Sequence, residues 1–139
     1  MPANTSPIFT LIPDIQWAFS AVTANTTKNL TSGTIYLCFS ASTNGGYVQR
    51  IRFRTLGTNS AATVARIWIN NGGTTATATN NILWDEITLP TTTLSETNAQ
   101  STYELPLNFA LPPFYAIYMT LGTAPNSAGW DAIVIGGEY

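Results

Sequence analysis

Apolar and polar residues alternate along this chain in short runs, and turn residues separate the runs. Ile15–Thr23 sets Ile15, Trp17, Phe19 and Ala21 against Gln16, Ala18 and Ser20. Thr34–Ser40 is continuously apolar, as a well-buried strand would be. Asn44-Gly45-Gly46 is a strong turn signal. Beyond it, Tyr47–Leu56 alternates again, with Tyr47, Gln49, Ile51, Phe53 and Thr55 on one side and Val48, Arg50, Arg52, Arg54 and Leu56 on the other. Val64–Asn70, Ile82–Leu89, Thr102–Phe109, Phe114–Leu121 and Trp130–Ile135 continue the series. In Thr102–Phe109, Tyr103, Leu105, Leu107 and Phe109 share a face, and Pro106 on the other parity predicts an edge strand or a bulge. No segment has a helical period.

About eight strands with turns at this spacing predict an all-β, antiparallel, jelly-roll-like sandwich; another Greek-key sandwich is the alternative. The predicted organisation is an extended arm over residues 1–14 and a single sandwich domain over residues 15–139. Pro2, Pro7 and Pro13 exclude a helix from the arm, yet Ile8, Phe9, Leu11 and Ile12 are strongly apolar. Such a segment needs burial but is a poor central strand. It is expected to lie across a surface, either its own sandwich or, the preferred reading, a neighbouring subunit.

Composition removes most of the tools of catalysis. The 139 residues contain no histidine and one cysteine, Cys38. Proton transfer by imidazole, a His/Cys zinc set and the Ser-His or Cys-His pairs are all excluded. Neither a metal nor a cofactor is expected, and the chain is not expected to be an enzyme. Cys38 sits in an apolar run and is read as a small buried hydrophobe. No secretion signal and no span of transmembrane length is read from the sequence. The triplets beginning at Asn4, Asn25 and Asn29 match the glycosylation pattern and are read as chance in a Thr/Asn-rich chain.

Only 9% of residues are charged, and the net charge is −2, so neither nucleic acid nor an acidic membrane is an expected partner. Low charge suits a chain that lives packed against other protein. The charges are also segregated. All five basic residues lie between Lys28 and Arg66, and six of the seven acids lie between Asp85 and Glu138. The two halves can complement each other within the fold or between subunits.

The Arg50/Arg52/Arg54 ladder places three guanidinium groups on one face of one strand, and Arg66 on the next strand is a candidate to join them. The ladder reads either as a solvated face paired with carboxylates on neighbouring strands or as a patch that docks a partner. Asp85 and Glu86 are adjacent on a strand and point to opposite faces, so they cannot flank a glycosidic bond. Trp17, Trp68, Trp84 and Trp130 suit core or interface packing, with stacking on sugar rings as the alternative. No calcium-loop pattern occurs.

The second half carries recognisable phrasing: "RIRFRTLGTNSAATVARIWINNGG", "NNILWDEITLPTTTLSETNAQ", "YELPLNFALPP" and "LGTAPNSAGWDAIVIGGEY". Over roughly residues 46–139 the chain resembles small, mostly uncharacterised β-sandwich proteins encoded among the virion genes of tailed bacteriophages. That resemblance implies a capsid decoration or cement protein, a homotrimer bound to the major capsid protein, made in the bacterial cytoplasm and residing in the virion. It implies no catalytic residues. The alternative is a carbohydrate- or receptor-binding module of a tail or fibre. The residues expected to meet a partner are Arg50, Arg52, Arg54 and Arg66 together with Ile8, Phe9, Leu11 and Ile12.

Overall fold

The computed structural model describes residues 9–139. Its strands are β1 (Ile12–Ala21), β2 (Tyr36–Ser40), β3 (Gly46–Arg54), β4 (Thr63–Asn70), β5 (Asn81–Leu89), β6 (Tyr103–Leu111), β7 (Ala116–Leu121) and β8 (Trp130–Glu138). They form two four-stranded antiparallel sheets, ordered β1-β8-β3-β6 and β2-β7-β4-β5. The first strand pairs with the last, the second with the seventh, the third with the sixth and the fourth with the fifth. This nested pairing is the connectivity of a jelly roll. The only helical piece among the described residues is a single 3-10 turn, Ala78–Asn80.

The core lies between the sheets. β3 contributes Val48, Ile51 and Phe53, and β8 contributes Trp130, Ala132 and Val134. The facing sheet contributes Phe39, Ile67, Ile117, Met119 and Leu121. Each large side chain buried here is worth roughly 1.5–3 kcal/mol. Cys38 is also buried, as its apolar setting predicts.

Two bulges in the first sheet set which of its residues face the core. Between Val48 and Arg50 the register of β3 shifts against both β6 and β8. Val48 and Ile51 therefore both point inward, where strict alternation would oppose them. Asn108, with φ 54°, lies on the β6 side of the same shift. Pro106 sits beside it on an edge strand, so both roles predicted for that proline hold. The second bulge, between Ala18 and Ala21, puts Ser20 at φ 50°. There the Ser20 N–H donates to Asp131 Oδ1 at 2.7 Å.

β1 begins at Ile12, so residues 12–14 of the expected arm belong to the sheet, with Pro13 opposite Gly137. β1 is an edge strand, which tolerates the missing N–H of proline. Of the arm's apolar residues, Ile8 lies outside the described residues. The Leu11 N–H extends the pairing to Glu138 O at 2.8 Å.

Candidate partner-binding face

The outward face of the β1-β8-β3-β6 sheet gathers most of the residues singled out above. Its rungs follow from the register. One runs Ile15, Ile135, Arg50, Pro106, and the next runs Trp17, Ile133, Arg52, Glu104. Arg54 stands opposite Asp131 in a third. One side of the face is thus apolar and the other carries guanidinium groups.

The apolar side is open. Ile15, Trp17 and Phe19 are 54%, 62% and 65% exposed. Alternation with large apolar residues ordinarily turns that side toward the core. In β1 the opposite side is inward, and it carries Gln16 and the small Ala18. Phe9 and Leu11 ahead of the strand and Ile12 at its start add further exposed apolar surface.

The basic side is incompletely neutralised. Arg50 and Arg52 share one carboxylate, that of Glu104, at 3.9 Å and 3.4 Å. Both ion pairs are half-exposed, and such pairs contribute at most about 1 kcal/mol. The Nε of each arginine has no hydrogen-bond partner among the described residues. Arg54 is fixed differently, donating to Gln100 O at 2.8 Å and Thr102 Oγ1 at 2.7 Å. Pairing with a neighbouring strand, one of the two readings of the ladder, is therefore present but loose.

Arg66 does not join the ladder. The connection from β3 to β4 crosses between the sheets, so consecutive strands are not neighbours and Arg66 lies on the opposite side of the sandwich. There its Nε donates to Glu86 Oε1 at 2.8 Å. Asp85 is one residue away and opposite Ile67, so the two acids diverge as expected.

The four tryptophans divide by environment. Trp130 is buried edge-on to Tyr103, with its indole N–H unpartnered among the described residues. Trp68 is buried and donates to Thr120 Oγ1 at 3.0 Å. Trp84 packs edge-on against Phe109 with centroids 4.8 Å apart, bridging the sheet edges β5 and β6. Trp17 stands on an open sheet face and Trp84 is half-exposed at a sheet edge, positions that their sequence context did not distinguish from those of the two buried tryptophans.

The glycosylation triplets fare as the chance reading expects at Asn25. Its amide nitrogen donates to the carbonyls of Asn29, Ser32 and Thr34 and is buried in the loop it organises. Asn4 lies outside the described residues. The thiol of Cys38 is pushed up to about 12 by burial, which leaves it a protonated core group.

The chain matches no known protein family, and no curated protein matches it. Among solved structures it is similar to a chain in the structure of infectious bursal disease virus Gx strain, with 13% identity and a TM-score of 0.31. It is also similar to a chain in the structure of the Gt strain of that virus, with 14% identity and a TM-score of 0.33. Each comparison covers 99% of this chain and 36% of the viral chain, so this chain spans little more than a third of their length.

Proposed function

We propose that this chain is a virion structural protein, and within that class a capsid decoration or cement protein that bridges subunits of the shell. One observation carries the reading: large apolar side chains stand open to solvent from Phe9 through Phe19 along one edge of the sandwich. An uncovered apolar run of this kind marks a protein contact. Burying it against neighbouring subunits yields roughly 25 cal/mol per Å² of apolar area. That gain exists only in the assembled particle, so binding stabilises the mature shell. The phage-virion phrasing of residues 46–139 points the same way. In this reading the protein acts as a homotrimer on the major capsid protein and is made in the bacterial cytoplasm.

The test is the position of the chain in a cryo-EM map of the intact particle. Density for the sandwich at the junctions between capsid subunits is the expected result. Density confined to the tail, or none on the particle, would overturn the reading.

The exposed ring of Trp17 favours a second reading, a carbohydrate- or receptor-binding module of a tail or fibre. A glycan-array signal that Trp17→Ala removes would select it over the first.

A further inference from the structure

A second apolar strip lies at the opposite corner of the sandwich. In β5 the consecutive residues Ile82, Leu83, Trp84, Asp85 and Glu86 are all exposed. β1 ends the first sheet on the side of β2, and β5 ends the second sheet on the side of β6. The two strips are therefore diagonally opposed, and they carry opposite charge. The first sets Ile15, Trp17 and Phe19 beside Arg50 and Arg52; the second sets Ile82 on the same side of β5 as Asp85.

We propose that the outward face of the first sheet docks the β5 edge of a second copy of this chain, head to tail. The spacings agree. Trp17 on β1 and Arg52 on β3 are two strands apart, roughly 10 Å. Along β5, Ile82 and Asp85 stand opposite Ile69 and Ile67, which share the core-facing side of β4, and they lie about 10 Å apart. Apolar groups therefore meet apolar groups while Asp85 reaches Arg50 and Arg52. Those arginines have only Glu104 between them, and Asp85 makes no ion pair among the described residues.

A two-fold contact of either strip with itself would bring like charges together, so the complementary pairing is heterologous. Repeated between copies related by rotation, it closes a ring. Sheet extension is not the mode. The register of β5 shifts near Trp84, and a bulge with an adjacent carboxylate disfavours edge pairing. The contact is between side chains, and it stands independently of the virion reading because it needs only this chain.

The experiment is sedimentation of the purified full chain across a concentration series, with Trp17→Asp and Ile82→Asp. Both residues are exposed, and matching circular dichroism and melting curves establish that each variant is folded. The wild type is expected to associate, and each variant to associate at least about 30-fold more weakly, as for loss of a central anchor. Mixing the two variants is expected to restore a one-to-one dimer and nothing larger, since each keeps one intact patch. Three results would overturn the proposal: a wild type that stays monomeric, undiminished association of either variant, or a mixture that stays monomeric.

Discussion

The side-chain amide of Gln16 faces the backbone of Ser40 as a strand's peptide group would. The Ser40 N–H donates to Gln16 Oε1 at 2.9 Å, and Gln16 Nε2 donates to the Ser40 carbonyl at 3.0 Å. Gln16 belongs to one sheet and Ser40 to the other, so one carboxamide closes the gap between the edge strands β1 and β2. A second donation from Gln16 Nε2 to Asp14 Oδ2, at 2.6 Å, holds the amide in place. At the other edge, Trp84 against Phe109 bridges β5 and β6 with aromatic rings instead.

Gln16→Ala should lower stability by about 1–3 kcal/mol, because it leaves the Ser40 groups without their partner. Urea unfolding reads the loss, and amide exchange at Ser40 should accelerate with it. An unchanged midpoint would mean that water serves Ser40 as well as the carboxamide does.

Gly136→Ala should be more damaging than its size suggests. Gly136 pairs with Val48 beside the β3 bulge, and a Cβ there would collide with the carbonyl oxygen of Tyr47. The obstacle is backbone, so no side chain can move aside. A cost of about 1–3 kcal/mol, in the range of core overpacking, is expected in thermal or chemical unfolding. Wild-type stability in this variant would show that the bulge itself can yield.

Cys38 makes stability fall in alkali. Its thiol rises from an ordinary 9.0 to about 12 in the folded chain. Below pH 9 the group is protonated in both states and contributes no pH dependence. Above pH 9 the unfolded chain releases the proton while the native chain keeps it, so stability declines by up to about 1.4 kcal/mol per pH unit until about pH 12. Cys38→Ala should remove that slope. The native thiol should also resist a thiol reagent at pH 8 and react only on unfolding.

Arg50→Ala with Arg52→Ala should change folding stability by less than about 1 kcal/mol, since both side chains are half-exposed and loosely paired. Phe53→Ala, on the same strand but facing inward, should cost about 3–5 kcal/mol. Denaturant midpoints for the two variants test the contrast. A large loss from the arginine pair would make the ladder a structural element instead of a docking surface.

The alternation in β6 was fully legible: Tyr103, Leu105, Leu107 and Phe109 face inward, and Pro106 marks both the edge and the bulge. The bulge in β3 was not, because Gln49 carries no signature that separates an extra residue from a regular one. Without it, Val48 is assigned to the arginine side of the strand, whereas it is wholly buried. The orientation of β1 was hidden for another reason. Periodicity reports two faces and leaves their direction to size, and here the inward face is the one with Gln16 and Ala18. The misplacement of Arg66 has a topological cause, since neighbours in sequence alternate between sheets in a jelly roll. The partner-binding candidates were therefore individually visible, while their grouping depended on pairings across the whole length of the chain.

Those pairings also govern when the fold can form. β8 lies between β1 and β3 and supplies hydrogen bonds to both. Until residues 130–138 have left the ribosome, β1 has no strand partner in its sheet and β3 has only β6. The nascent protein must therefore carry β1, with its Trp17 and Phe19, unpaired until β8 emerges. Closure of such distant segments is a slow, millisecond-to-second event. A chain cut short before β8 leaves β1 without its strand partner, so the outward face that Trp17 shares with Arg50 and Arg52 forms only after β8 has emerged.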